Sequence, residues 1–84
     1  MANPKRIVYL LESLSDPARH YTGLTSDLSA RLAAHNEGHC AKTVDNRPWR
    51  VLVSIEFASQ HGAALFERYL KSGSGRVFAK RHFV

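Results

Sequence analysis

Five side chains could do chemistry that plain packing does not need: Tyr9, Tyr21, Arg31, His35 and Glu67. Arg31 and His35 are four residues apart, so on a helix they are neighbours one turn apart. At about 100° per residue they flank the stripe formed by Leu28 and Leu32. A guanidinium there either snorkels past the leucines to water or presents its planar donor fork to a phosphate. The structural reading of His35 is a partly buried histidine. Glu67 falls on the same helical face as Ala63, Phe66 and Leu70. A bare buried carboxylate is costly, so Glu67 either pairs with a Lys or Arg at the stripe edge or ligates a hard cation such as Mg²⁺. Tyr9 and Tyr21 are ordinary strand residues, and their hydroxyls can also serve proton transfer.

Other chemistries find no support. His35, His39 and Cys40 do not complete a four-ligand zinc pattern, since no second cysteine pair or spaced histidine follows. Gly73-Ser74-Gly75 lacks the pattern of a phosphate-cradling loop, and nothing suggests a serine or cysteine nucleophile.

The elements that must position these residues can be read in order. Arg6–Ser13 contains the apolar run Ile7-Val8-Tyr9-Leu10-Leu11 and reads as a strand. Turn residues fill Ser13–Arg19. His20–Gly23 reads as a short second strand that Gly23 stops. A helix then starts with Ser26 as N-cap and Asp27 at its positive end, runs to Asn36, and ends at Gly38. His39–Pro48 is polar and reads as a loop. Trp49–Phe57 alternates as a third strand, Ser59–Ser72 reads as a helix, and Gly73-Ser74-Gly75 breaks it. Arg76–Phe83 forms a last helical turn or two. The expected architecture is α/β: a small three-stranded, antiparallel-type sheet flanked by helices in the order β-β-α-β-α-α. Residues 1–84 are expected to form one domain, with 1–5 a flexible N-terminus.

The balance of charge narrows the partner. The 84 residues carry 12 Lys and Arg against 7 Asp and Glu, a formal charge of +5. After Glu67 come Arg68, Lys71, Arg76, Lys80 and Arg81 with no acid, which suits a polyanion. The lone Cys40 allows no intramolecular disulfide and fits a reducing cytoplasm. No segment reads as a signal peptide or a membrane span.

Taken in order, these residues resemble the GIY-YIG nuclease superfamily over nearly the whole chain. The two tripeptides stand as Ile7-Val8-Tyr9 and Tyr21-Thr22-Gly23. Gly23-Leu24-Thr25-Ser26-Asp27-Leu28 through Arg31-Leu32, His35-Asn36 and Gly38 looks like the family's helix motif. Lys42-Thr43, Pro48-Trp49 and the stretch Ala64 to Glu67 with Leu70-Lys71 match its small stand-alone bacterial branch. Ile7 and Thr22 depart from the tripeptides, and Gly75–Phe83 lacks the Asn often found there.

The resemblance implies a metal-dependent endonuclease that cuts a DNA phosphodiester, in structured or damaged DNA and a repair setting, with RNA as an alternative substrate. It implies that Tyr9 and Tyr21 line the site, one of them, in some accounts Tyr21, acting as general base toward water. Arg31 would stabilise phosphate charge, and His35 would assist proton handling or orient the water. Glu67 would ligate Mg²⁺ or Mn²⁺. Lys42 and Thr43 are placed at the backbone phosphate, joined by Lys71, Arg76, Lys80 and Arg81 from charge placement. A free tyrosine ionises only near about pH 10, so a tyrosine base needs cationic neighbours such as Arg31 and the metal. The alternative is a non-catalytic nucleic-acid-binding module on the same fold. Monomer and weak homodimer both fit the sequence.

Overall fold

Side-chain alternation along one strand decides how the layers assemble. In β1 (Ile7–Ser13), Val8, Tyr9, Leu10 and Leu11 are all buried, because β1 is the middle strand of an antiparallel sheet with order β2-β1-β3. The flanking strands are β2 (His20–Thr25) and β3 (Trp49–Glu56). Successive strand residues point to opposite faces. Val8 and Leu10 therefore pack against Ala63, Leu70 and Ala79 on one face, and Tyr9 and Leu11 against Trp49, Leu28 and Leu32 on the other. These contacts place α1 (Leu28–Asn36) on the tyrosine face, and α2 (Gln60–Leu70) and α3 (Gly73–His82) on the opposite face. The expected α/β arrangement of three antiparallel strands and three helices is present.

This computed structural model describes residues 3–84. Of the expected flexible segment 1–5, Met1 and Ala2 lie outside the described residues, and residues 3–5 belong to no helix or strand. Among the described residues, no helix is long and apolar enough to cross a membrane.

Four local expectations are corrected. β2 does not stop at Gly23 but continues to Thr25, with Gly23 opposite Tyr9. Its missing side chain is what lets the tyrosine ring lie across the strand: a Cβ there would stand 2.3 Å from the Tyr9 hydroxyl. Asp27, not Ser26, caps α1, its carboxylate accepting from the Ala30 N–H at 3.1 Å. A short 3₁₀ turn at Val44–Asn46 interrupts the supposed loop. Gly73-Ser74-Gly75 does not separate two helices by itself; it is the first turn of α3, capped by Ser72. Gly75 is required there by close approach, since a Cβ would fall 1.8 Å from the Tyr69 carbonyl oxygen.

Gly38 ends α1 as expected of a glycine. It takes φ +84° just past the cap residue Glu37, a left-handed conformation that other residues avoid. His39 N–H then bonds back to the Ala34 carbonyl at 3.0 Å. This turn sends the chain across the tyrosine face toward Thr43.

Candidate active site

The middle strand, its neighbour and α1 deliver three rings to one spot. Tyr21 lies against His35 with ring centroids 4.9 Å apart, and Tyr9 lies 5.9 Å from His35 and 6.3 Å from Tyr21. The Tyr9 hydroxyl and His35 Nε2 are hydrogen-bonded at 2.9 Å, and His35 Nδ1 meets the Thr43 hydroxyl at 2.8 Å. Tyr9 is 1% exposed, and His35 and Thr43 are 0% exposed. Tyr21 is only partly buried, and Arg31 is exposed on the next turn of α1.

Burial sets the protonation state of Tyr9. Burial pushes the Tyr9 hydroxyl above its ordinary pKa, against the opposing pull of the Arg31 guanidinium beside it. Tyr9 therefore stays protonated. Arg31 is held more firmly protonated, first by its contact with the Tyr9 hydroxyl. Burial, helped by the Arg31 charge, pushes His35 below its usual value, so its ring is neutral near pH 7. A neutral ring has one donor and one acceptor nitrogen, and both are engaged. His35 is thus a member of a buried hydrogen-bonded chain rather than a group facing solvent.

Beside Tyr21 the surface opens into a cavity of about 840 Å³. Tyr21 and Lys42 line it together with Lys71, Arg76 and Lys80 from the opposite face of the sheet. The cavity therefore wraps the free edge of β2 and joins the ring cluster to four of the expected basic contacts. Arg81 is exposed on α3 and is not part of this lining. Arg19 and His20 add to the basic wall. The sequence placed Arg19 in a turn and His20 at the start of a strand, and neither was singled out as a contact for a polyanion.

Glu67 is placed differently. Its side chain is 18% exposed and its carboxylate pairs with Lys71 one turn on. It makes no hydrogen bond to the tyrosines, Arg31 or His35. It stands on α2, across the sheet from the rings, and reaches the cavity only through Lys71. Among the described residues, no group of three His, Cys, Asp or Glu could hold a metal. A hard cation here has one carboxylate to bind.

Thr43 lies apart from the surface. The resemblance put it at a backbone phosphate; in the structure its side chain is fully buried and bonded to His35. Its carbonyl accepts from Trp49 Nε1 at 2.8 Å. Asn36, whose role the sequence did not reveal, braces the same corner. Its amide donates to the Trp49 carbonyl at 3.1 Å and accepts from the Trp49 N–H at 2.6 Å. An amide matched to both backbone groups of one residue leaves no mark in a sequence pattern.

Comparison with known proteins agrees with this geometry. A family model described as the GIY-YIG catalytic domain matches residues 5–81. A UPF0213 protein of Lacticaseibacillus paracasei is 42% identical over 68 residues, covering 76% of each chain. The UPF0213 protein YsiG of Lactococcus lactis is 40% identical over 52 residues, 61% of this chain and 50% of that one. The structure-specific endonuclease subunit SLX1 of Candida dubliniensis is 35% identical over 71 residues, 76% of this chain and 25% of the relative. The chain thus spans about half the length of YsiG and a quarter of the fungal subunit. No solved structure matches significantly.

Proposed function

The chain belongs to the GIY-YIG family, a nuclease family, and from that membership we propose that it is an endonuclease hydrolysing a DNA phosphodiester. The observation that carries the reading is the packing of Tyr9, Tyr21 and His35 beside Arg31, with Tyr21 lining the adjoining basic cavity. The name of the fungal relative, a structure-specific endonuclease subunit, supports branched or otherwise structured DNA as the substrate class.

The residues divide the work by accessibility. The polynucleotide backbone lies against Lys42, Lys71, Arg76 and Lys80, which exchange salt counterions for phosphates. Arg31 presents preorganised donors to the reacting phosphate, where negative charge builds as the phosphorus is attacked. Tyr21, the accessible tyrosine, is the general base that takes the proton of the attacking water through its hydroxyl oxygen. The water oxygen bonds to phosphorus, the bond to the leaving oxygen breaks, and that oxygen takes a proton from solvent. Tyr9 is closed from solvent and holds the geometry through His35.

Glu67 suits Mg²⁺ or Mn²⁺ as a single carboxylate ligand. Mg²⁺ keeps waters and takes substrate oxygens, so one protein ligand suffices. In this structure Glu67 is paired with the half-exposed Lys71, so a cation would bind there in place of that ammonium. Held by Glu67, such an ion would supply Lewis-acid polarisation of a phosphoryl oxygen and charge for the leaving group.

The test incubates purified protein with labelled branched and linear duplexes, with Mg²⁺, Mn²⁺ or chelator. Metal-dependent cuts in the branched DNA support the reading, and cleavage of RNA alone would redirect it. The second reading, binding without cleavage, is favoured by the closed Glu67–Lys71 pair and by the absence of an Asn from Gly75–Phe83. Salt-dependent affinity with no product under any metal would select it.

A further inference from the structure

Thr43 has no part in the hydrolysis just described, yet it is wholly enclosed and both functions of its hydroxyl are engaged. The hydroxyl lies 3.3 Å from the Cys40 carbonyl oxygen and 2.8 Å from His35 Nδ1. A carbonyl oxygen only accepts, and a hydroxyl has one hydrogen to give. That hydrogen goes to Cys40, so the hydroxyl oxygen receives Nδ1–H from His35. In the neutral ring Nε2 then carries the lone pair, and the 2.9 Å contact is Tyr9 O–H donating to His35.

The far end of the chain suits the same direction. The Arg31 charge acts on the Tyr9 hydroxyl, and a guanidinium only donates. Were His35 protonated on Nε2, the Tyr9 hydrogen would be turned out toward those donors. With the Thr43 hydrogen on the Cys40 carbonyl, which also accepts the Thr43 N–H at 3.1 Å, the chain runs Tyr9 to His35 to Thr43 to Cys40.

We propose that Thr43 is a positioning residue that fixes His35 as its Nδ1–H tautomer and thereby turns the Tyr9 hydrogen inward, leaving the Tyr9 oxygen as the acceptor that seats Arg31 for the phosphate. The tautomer stands on the hydrogen-bond geometry alone; its effect on rate rests on the nuclease reading. The partner of a histidine's second nitrogen sets which nitrogen is protonated, and loss of such an orienting partner in metalloenzymes lowers activity by about 10- to 100-fold.

The experiment is ¹⁵N NMR of histidine-labelled protein near neutral pH, reading which nitrogen of His35 carries the proton, in wild type, Thr43→Val and Thr43→Ser. The His35 signals are assigned by their loss in His35→Gln. Wild type and Thr43→Ser should show Nδ1–H. Thr43→Val, which removes the acceptor while keeping the shape, should shift the ring toward Nε2–H. In cleavage assays Thr43→Val should lose about 10- to 100-fold in kcat at little change in KM, and Thr43→Ser should recover it. Nε2–H in the wild type overturns the proposal. So does a Thr43→Val protein that keeps Nδ1–H, or one that changes tautomer and cuts at the wild-type rate. If Thr43→Val fails to fold, the wild-type and Thr43→Ser spectra still decide. If the wild type cuts nothing, the nuclease reading fails while the tautomer remains measured.

Discussion

Replacing Gly23 by alanine tests whether the Tyr9–His35 bond depends on a bare stretch of β2. An added Cβ would sit 2.3 Å from both Cζ and the hydroxyl oxygen of Tyr9, and 2.7 Å from Cε1. Carbon contacts are comfortable at about 3.5–4.0 Å, so the ring must retreat by roughly 1 Å or more. Tyr9 is 1% exposed, so it has nowhere to go but into its neighbours. A displacement of that size breaks a 2.9 Å hydrogen bond to a buried histidine. Overpacking costs about 1–3 kcal/mol, and a buried group left without its partner costs about 1–3 kcal/mol more. Against this stands a gain of roughly 0.5–1 kcal/mol from replacing glycine inside a strand. The balance is a loss of about 1–5 kcal/mol. Urea unfolding of Gly23→Ala and wild type measures it, and His35 ¹⁵N shifts report the broken bond. Equal midpoints with unaltered His35 shifts would refute the account of why a glycine follows Tyr21-Thr22.

Three further outcomes follow from the same structure. Gly75→Ala should destabilise by about 1–3 kcal/mol or more, because its Cβ meets the Tyr69 backbone at 1.8 Å; Gly73→Ala, with nothing within 4 Å, should be neutral or gain up to about 1 kcal/mol, both read by urea titration. Burial and Arg31 hold His35 below its unfolded pKa, so as pH falls below about 6.5 the unfolded chain takes up the proton first and stability declines; urea midpoints between pH 7.5 and 5 should show this slope, flattened in His35→Gln. Glu67→Gln should change stability by no more than about 0.5 kcal/mol, since its partner Lys71 is half exposed, yet should abolish metal-dependent cleavage; equal rates in the two proteins would remove Glu67 from the metal site.

The layers were legible because periodicity carries them. Ile7 to Leu11 and Trp49 to Phe57 announce strands, and Leu28, Leu32 and His35 share one helical face. Arg31, His35 and the tyrosines could be singled out by type and spacing. What stayed hidden depends on contacts between distant segments. Gly23 reads as a strand breaker until the Tyr9 ring is seen lying over it. Gly73-Ser74-Gly75 reads as a helix breaker because glycine disfavours helices, but Ser72 caps a helix there and the approach to Tyr69 needs no side chain at Gly75. Thr43 sits in a polar stretch and looks exposed. Its burial comes from the Gly38 turn and from Trp49 across it. The helical wheel placed Glu67 at the edge of an apolar stripe, and the structure supplies Lys71 as its partner, one of the two readings its position allowed.

The most direct test of the account is single-turnover cleavage of a labelled branched DNA with Mg²⁺, comparing wild type with Tyr21→Phe and Arg31→Ala at equal protein and equal bound fraction. The account predicts product from the wild type. It predicts at least about 100-fold slower cutting by either variant, the range expected for loss of a general base or a charge-stabilising donor. A wild-type protein that binds the DNA but cuts nothing, or a Tyr21→Phe protein that cuts as fast as wild type, would contradict it.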